Sequence, residues 1–374
     1  MAQTNRKDRL MQTEVLIIGG GLSGLALADD LIRAGVDFLV VEAQERLGGR
    51  ILTKTLSGGK FDLGPAWFWP GQPRMAALAE RFELTVFEQY STGDLMFEDR
   101  SGAVRRGQGY ASMAGSYRLA GGMGALIGGL AHQIASQNIM RGTRVTTLTR
   151  RENSIVADLS DGRQVTAQHV ALAVPPRVAA ETIQFEPPLD DRQIRALQAI
   201  PTWMAGQAKV VATYHKPYWR LAGLSGDAMS QRGPMVEIHD ASPEDGGPFA
   251  LFGFVGVPAD VRADHSEKIL ELAKAQLVAL LGEDLANPLD IVLQDWATIP
   301  EIARPLDRGA SHGHPAYGLP PNLTGLWDDT LHLSSTETAR GFGGFLEGAL
   351  EAAETTAQKL ITHADFPTRS PLRP

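Results

Sequence analysis

The sequence predicts an α/β protein of two domains, one built on a parallel sheet entered through a glycine turn and a second, α+β, built on a mostly antiparallel sheet. Three observations carry this. An apolar run, Val15-Leu16-Ile17-Ile18, meets Gly19-Gly20-Gly21-Leu22-Ser23-Gly24 and then a helical-period segment over 25–34 closed by Gly35. Strand-like runs at 209–214, 235–238 and 249–257 form a separate set far downstream. At 374 residues the chain is too long for one small core and suits two structural units sharing one ligand.

Each part of the opening unit has a physical task. Gly19 allows the tight turn, Gly21 lets the backbone approach a pyrophosphate, and Gly24 lets helix and strand pack closely. The helix begins near Leu22 and Ser23, where free N–H groups and the positive dipole end face the phosphates. A second apolar run, 38–41, ends in Glu42, followed by Ala43 and Gln44. Glu42 lies roughly 20 residues beyond the turn, where a carboxylate accepts hydrogen bonds from a ribose diol, so an unphosphorylated ribose is favoured.

Composition removes other classes. Acidic residues outnumber basic ones, 43 to 35, for a net charge of −8, and no basic stripe offers a nucleic-acid surface. The chain has no cysteine, which excludes disulfides, thiolate metal sites and cysteine nucleophiles. Residues 1–12 lack the apolar core of a secretory signal. No run approaches the roughly 20 apolar residues of a membrane span, and 365–374 reads as a proline-rich polar tail. The expected location is cytoplasmic. His312-Gly313-His314 lacks further ligands at metal spacing and reads as an ordinary loop, so no metal is expected. No feature speaks to an oligomer.

The run 42–50, Glu-Ala-Gln-Glu-Arg-Leu-Gly-Gly-Arg, narrows the dinucleotide to FAD. Here the chain resembles the flavin-dependent amine oxidases, a family that includes monoamine, polyamine and putrescine oxidases. The resemblance implies a monoamine oxidase-like fold, with a Rossmann-like FAD-binding domain and a substrate domain. It implies that Gly48, Gly49 and Arg50 set an arginine over the pyrophosphate, and a guanidinium fork suits phosphate oxygens. It places Gly64, Pro65, Ala66 and Trp67 beneath the flavin ring, Pro65 withholding one amide donor. Trp67, Phe68 and Trp69 read equally as a buried cluster or as a wall of the substrate cavity. Val145 is implied to offer its backbone to the adenine. Thr336 and Glu337 resemble the ribityl and phosphate contact, with Ser335 where the family usually has glycine. Gly344, Phe345 and Leu346 resemble the helix start facing the flavin pyrimidine ring, where an N-terminus stabilises negative charge. Because several family members attach FAD through a cysteine, FAD here is expected to be non-covalent.

Between these landmarks, 75–118 reads as irregular apart from a helix at 75–82, shorter than the helical insertion usual in the family. A helix is expected at 125–134, and strands at 144–148, 155–159 and 164–174, with Pro175-Pro176 marking the exit from the nucleotide domain. A helix at 267–281 and a strand at 291–296 belong to the second domain, and an amphipathic helix closes the chain near His363. The expected division assigns 1–60, 119–180 and 325–365 to the FAD domain and 61–118 and 181–324 to the substrate domain, with a tail at 366–374.

No Ser-His-Asp set, carboxylate pair or metal cluster is evident, so the flavin would carry the chemistry. The resemblance implies hydride removal from the carbon next to an uncharged amine nitrogen to flavin N5. An imine and, through O2, hydrogen peroxide would follow. Lys209 resembles the family's strand lysine that holds a water beside N5, and a lysine inside an apolar strand is costly unless it meets a polar cavity. Phe345 matches one wall of the family's aromatic cage. For the other wall, counting from Pro320-Pro321 gives Pro315, while the nearest ring is Tyr317. Trp296 matches a family tryptophan near the flavin. The rival readings are a dehydrogenase or desaturase of the same fold acting on C–C bonds, and a non-catalytic flavin-binding protein.

Overall fold

The structure, a computed structural model, describes residues 11–309 and 313–363. The expected N-terminal and tail segments therefore fall largely outside the described residues, as does His312. Contacts divide the chain into two compact units: residues up to Gly49, Ile127–Trp203 and those from His314 on form the first, and Arg50–Leu126 with Met204–Gly313 the second.

In the first unit, the described sheet runs Gln184–Glu186, Val145–Arg150, Ile155–Leu159, Gln164–Leu172, Met11–Ile18, Phe38–Val41, Ile139–Met140, with Leu331–Leu333 pairing Gln164–Leu172 off this path. Met11–Ile18 pairs in parallel with both neighbours, Val15 opposite Phe38 on one side and His169 on the other. A strand flanked on both edges and covered on both faces must be apolar throughout its centre, and Val15 to Ile18 are buried. Helix Leu22–Ala34 follows, and Gly35, at φ 71°, turns its N–H back onto the carbonyls of Leu31 and Ile32 to end it. Helix Leu346–His363 packs on it.

Residues 181–203, expected in the substrate domain, belong to this first unit. Gln184–Glu186 pairs with Val145–Arg150, and helix Asp191–Ala199 packs on helix Pro176–Thr182. Pro175-Pro176 is accordingly not an exit. Pro176 opens a helix, where the missing N–H would have had no intrahelical partner. Residues 50–60 and 119–126 cluster with the second unit.

The second unit's described sheet runs Asp290–Asp295, Ala208–Tyr214, Phe249–Val255, Met235–Asp240, Leu224–Ser230, Asp94–Glu98, Val104–Arg106, antiparallel except where Leu224–Ser230 meets Asp94–Glu98. One face packs through Val210, Ala212, Leu251 and Ile238 against helix Ser266–Leu281. Alternation then sends Lys209, Phe252, Phe254 and His239 to the opposite face. The stretch read as irregular contains the hairpin 94–98/104–106 and the pair Val86–Glu88/Tyr117–Leu119, strands of three to five residues too short to declare a period. Among the described residues no helix is long and apolar enough to cross a membrane.

Candidate active site

In the first unit the glycine turn is built by contact. At Gly24 a Cβ would land on Gly19 O, and at Gly19, φ 111°, one would approach Ala173 O at 2.6 Å. Helix and strand meet backbone to backbone there. A Cβ at Gly21 would meet only Gly49 Cα, at 3.9 Å. Gly48 donates to Gly20 O at 2.8 Å, bringing Gly48 and Gly49 beside this turn, and Arg46 wraps it by donating to Gly49 O at 2.7 Å. Helix Leu22–Ala34 has no side-chain cap and no acid in its first turn, so the N–H groups around Leu22 and Ser23 lack a side-chain acceptor.

Glu42, buried after strand Phe38–Val41, accepts from Gly20 N at 2.6 Å and Gln44 N at 2.8 Å, which fixes its carboxylate beside the glycine turn. Val145 is buried at the head of its strand, where the ladder with Ile155–Leu159 shifts register.

The C-terminal segment reaches the same turn: Ser23 Oγ donates to Ser334 O at 2.5 Å. Thr336 Oγ1 donates to Phe345 O at 2.7 Å and Gly344 N to Thr336 O at 3.3 Å, tying Thr336 and the fully buried Glu337 to the start of helix Leu346–His363. Ser335 Oγ is buried without a hydrogen-bond partner among the described residues. The uncapped helix start, the glycine cradle and this hydroxyl are groups a dinucleotide would satisfy, and they fit FAD.

The ring stacked on Phe345 is His314, centroids 4.8 Å apart and planes 17° apart. Tyr317 stands edge-on to His314 and donates its hydroxyl to Pro201 O at 2.9 Å, while Trp203 flanks the imidazole at 4.7 Å. His314 was missed because it was read only for metal spacing.

In the second unit Lys209 is buried in its strand, and its Nζ donates to Gly64 O at 2.6 Å and to Asp62 O at 3.4 Å. Phe252, Phe254 and Trp67 surround the ammonium at 4.2, 5.5 and 5.8 Å from their ring centres. Burial lowers its pKa to about 7, against the opposing pull of Asp62 and with the help of Arg118. Asp62, itself pushed up by burial, accepts from Met123 N and from Thr53 Oγ1. Between the two carbonyls that hold Lys209, Leu63 O accepts from Trp296 Nε1 at 3.0 Å. Trp296 thus grips the backbone of 62–64.

Gly64 is required because a Cβ there would land on Arg50 O. Pro65 and Ala66 lead into the triplet, whose members diverge. Trp67 turns to Lys209 with its Nε1 on Gln89 Oε1 at 2.8 Å, and Phe68 packs on Tyr117. The Phe-x-Phe alternation at 252–254 was the available signal for the rings around Lys209.

The strand–glycine–helix unit, the buried Glu42 after the second strand and the uncapped helix start define a protein of the Rossmann-like, dinucleotide-binding class. The chain belongs to the flavin containing amine oxidoreductases, whose family profile matches residues 22–108 and 93–361. It is an FAD-dependent amine oxidoreductase. It is 26% identical to the protein named flavin-containing monoamine oxidase AofH of Mycobacterium tuberculosis, across 93% of this chain and 96% of that one. That alignment spans 458 positions against 374 residues here, so it contains stretches this chain lacks. Among solved structures, a putrescine oxidase variant superposes with TM-score 0.80 at 20% identity, covering 95% of this chain and all of the other. Cyclohexylamine oxidase from Brevibacterium oxydans IH-35A superposes at 0.78 and 19% identity, covering 94% and 99%. These structures establish the fold.

Proposed function

We propose that the protein oxidises an uncharged amine at the carbon next to nitrogen, and that Lys209 is the protein group serving the flavin ring. FAD, when bound, would supply a two-electron acceptor, with O2 as the final oxidant that, taking two electrons and two protons, would leave as hydrogen peroxide. The substrate loses a hydride from the C–H bond as the nitrogen lone pair closes C=N, and water hydrolyses the imine to a carbonyl compound and the freed amine.

The chain's own residues bind and orient. In the first unit, the turn at Gly19 to Gly24, Glu42 to Gln44, Gly48, Gly49 and Val145 would hold the nucleotide half of FAD, and Thr336, Glu337 and Gly344 to Leu346 would face its ring half. In the second unit, Arg50 would suit phosphate oxygens and Gly64 to Trp67 would offer close backbone to a flavin ring. Phe345 offers a flat wall, with His314 and Tyr317 beside it. Trp296 keeps the 62–64 carbonyls in place.

The observation that carries this reading is the Lys209 ammonium, buried on two carbonyls among three rings with its pKa brought to about 7. Near neutral pH such a group gives up or takes a proton readily, which suits an amine that must react uncharged. The test mixes the FAD-loaded protein anaerobically with primary, secondary and cyclic amines, then admits oxygen. Bleaching of the flavin followed by peroxide in amounts matching the aldehyde or ketone is expected. Failure of every amine to bleach it would leave a flavin-binding protein without this activity, and bleaching without peroxide would point to an acceptor other than O2.

A further inference from the structure

The second unit carries an ionic cluster around a buried histidine that the reaction above does not use. His239 is 1% exposed, with Nδ1 at 2.7 Å from Asp227 Oδ1 and Nε2 at 3.0 Å from Glu237 Oε1. Ionised carboxylates only accept, so with both partners ionised both ring nitrogens donate and the ring is an imidazolium. Although burial opposes that charge, the two carboxylates raise its pKa overall. Glu237 is held in turn by the Ser112 hydroxyl.

Register places this cluster in line with Lys209. Lys209 pairs with Phe254, Phe254 with Glu237, Phe252 with His239, and Met229 with Glu237, so that Asp227, His239, Phe252, Phe254 and Lys209 share one face across four strands. Trp67 lies over the row. It meets His239 edge to face at 5.2 Å and 84°, touches Phe252 at 5.1 Å, and borders the Lys209 ammonium. His239 also packs on Phe252 at 5.4 Å. Both His239 and the Lys209 ammonium thus contact the same pair of rings, Trp67 and Phe252.

We propose that His239, clamped by Asp227 and Glu237, is a positioning residue that fixes Trp67 and Phe252 against Lys209 and so keeps water from that ammonium. A neutral ring would donate to one carboxylate alone and free the imidazole to tilt, whereas the doubly bonded ring has a single orientation. The charged and titratable groups facing His239 are Asp227 on Leu224–Ser230 and Glu237 on its own strand. Those acting on Lys209 are Asp62 and Arg118. The inference rests on the proposed role of Lys209 only for its effect on turnover, so titration and turnover are read separately.

The test uses the FAD-loaded enzyme labelled with 15N in lysine side chains and histidine rings, Lys209 being assigned from Lys209→Met and His239 from His239→Gln. In the wild type both ring nitrogens of His239 should stay protonated from pH 6 to 8, and a neutral ring in that range overturns the proposal. In His239→Gln, Lys209 should titrate higher by about half a pH unit or more, because water reaching the ammonium favours its charged form. An unmoved Lys209 in the folded variant overturns it. Should two unpaired carboxylates prevent folding, the triple variant His239→Leu, Asp227→Asn, Glu237→Gln removes ring and charges together and should raise Lys209 likewise, with no rise counting against the proposal. If Lys209 moves but the pH profile of amine oxidation does not follow, the positioning role stands and the catalytic role of Lys209 fails.

Discussion

Lys209 Nζ donates to Gly64 O at 2.6 Å, a charged donor on a carbonyl in a stretch where any side chain larger than hydrogen would strike Arg50 O. The lysine and the glycine that receives it are 145 residues apart in sequence. The closeness of that backbone is what lets a buried ammonium find an acceptor, and it frames the first two expectations.

Replacing Lys209 with methionine keeps the apolar stem and removes the proton carrier. FAD should remain bound, while flavin reduction by amine, followed by anaerobic stopped-flow absorbance, should slow about a hundredfold or more. Reduction at the wild-type rate with flavin in place would refute the assignment.

The same lysine predicts a pH-dependent stability. Its unfolded value is the ordinary 10.5 and its folded value about 7, so between these the unfolded chain binds more protons. Stability therefore rises with pH across that window, by at most about 1.4 kcal/mol per unit, and the burial cost is fully present below pH 7. Urea melts of wild type and Lys209→Met should show the variant's relative advantage largest near pH 6 and shrinking towards pH 10. A gap independent of pH would contradict the shifted lysine.

Gly21 and Gly24 should separate cofactor binding from folding. Gly24→Ala drives a methyl into Gly19 O and should destabilise the protein outright. Gly21, at φ −77°, has open space toward Gly49, so Gly21→Ala should fold with stability within about 1 kcal/mol of wild type. It should nonetheless lose about tenfold or more in FAD affinity, because the methyl occupies the place of the pyrophosphate. Thermal melts of apoprotein and FAD titration by fluorescence check both.

Trp296→Phe removes one N–H and leaves Leu63 O buried without its donor, at a cost of about 1–3 kcal/mol in chemical denaturation. Unchanged stability would mean that the 62–64 segment does not depend on this bond.

Periodicity and glycine spacing made the nucleotide-binding half legible because its contacts are local or nearly so. The turn at Gly19 to Gly24, the acid Glu42 and the helix from Leu22 lie within one short stretch, each announced by residue type. The apolar runs that form Ala208–Tyr214 and Phe249–Val255, buried almost throughout, were likewise visible as strands. Short strands such as Val104–Arg106 were not, since three residues carry no period. Nor was the membership of 181–203, which depends on Gln184–Glu186 finding its parallel partner.

What the linear chain determined by itself was the presence of a dinucleotide turn, the lack of any thiol, and a lysine placed in an apolar strand. Tertiary structure alone decided that Lys209 meets the carbonyls of Asp62 and Gly64, that Trp67 contacts both it and His239, and that His314 stacks on Phe345. The reason is physical: a turn is set by φ, ψ and the space at each residue, whereas the surroundings of a buried charge are assembled from segments whose convergence depends on every strand between them.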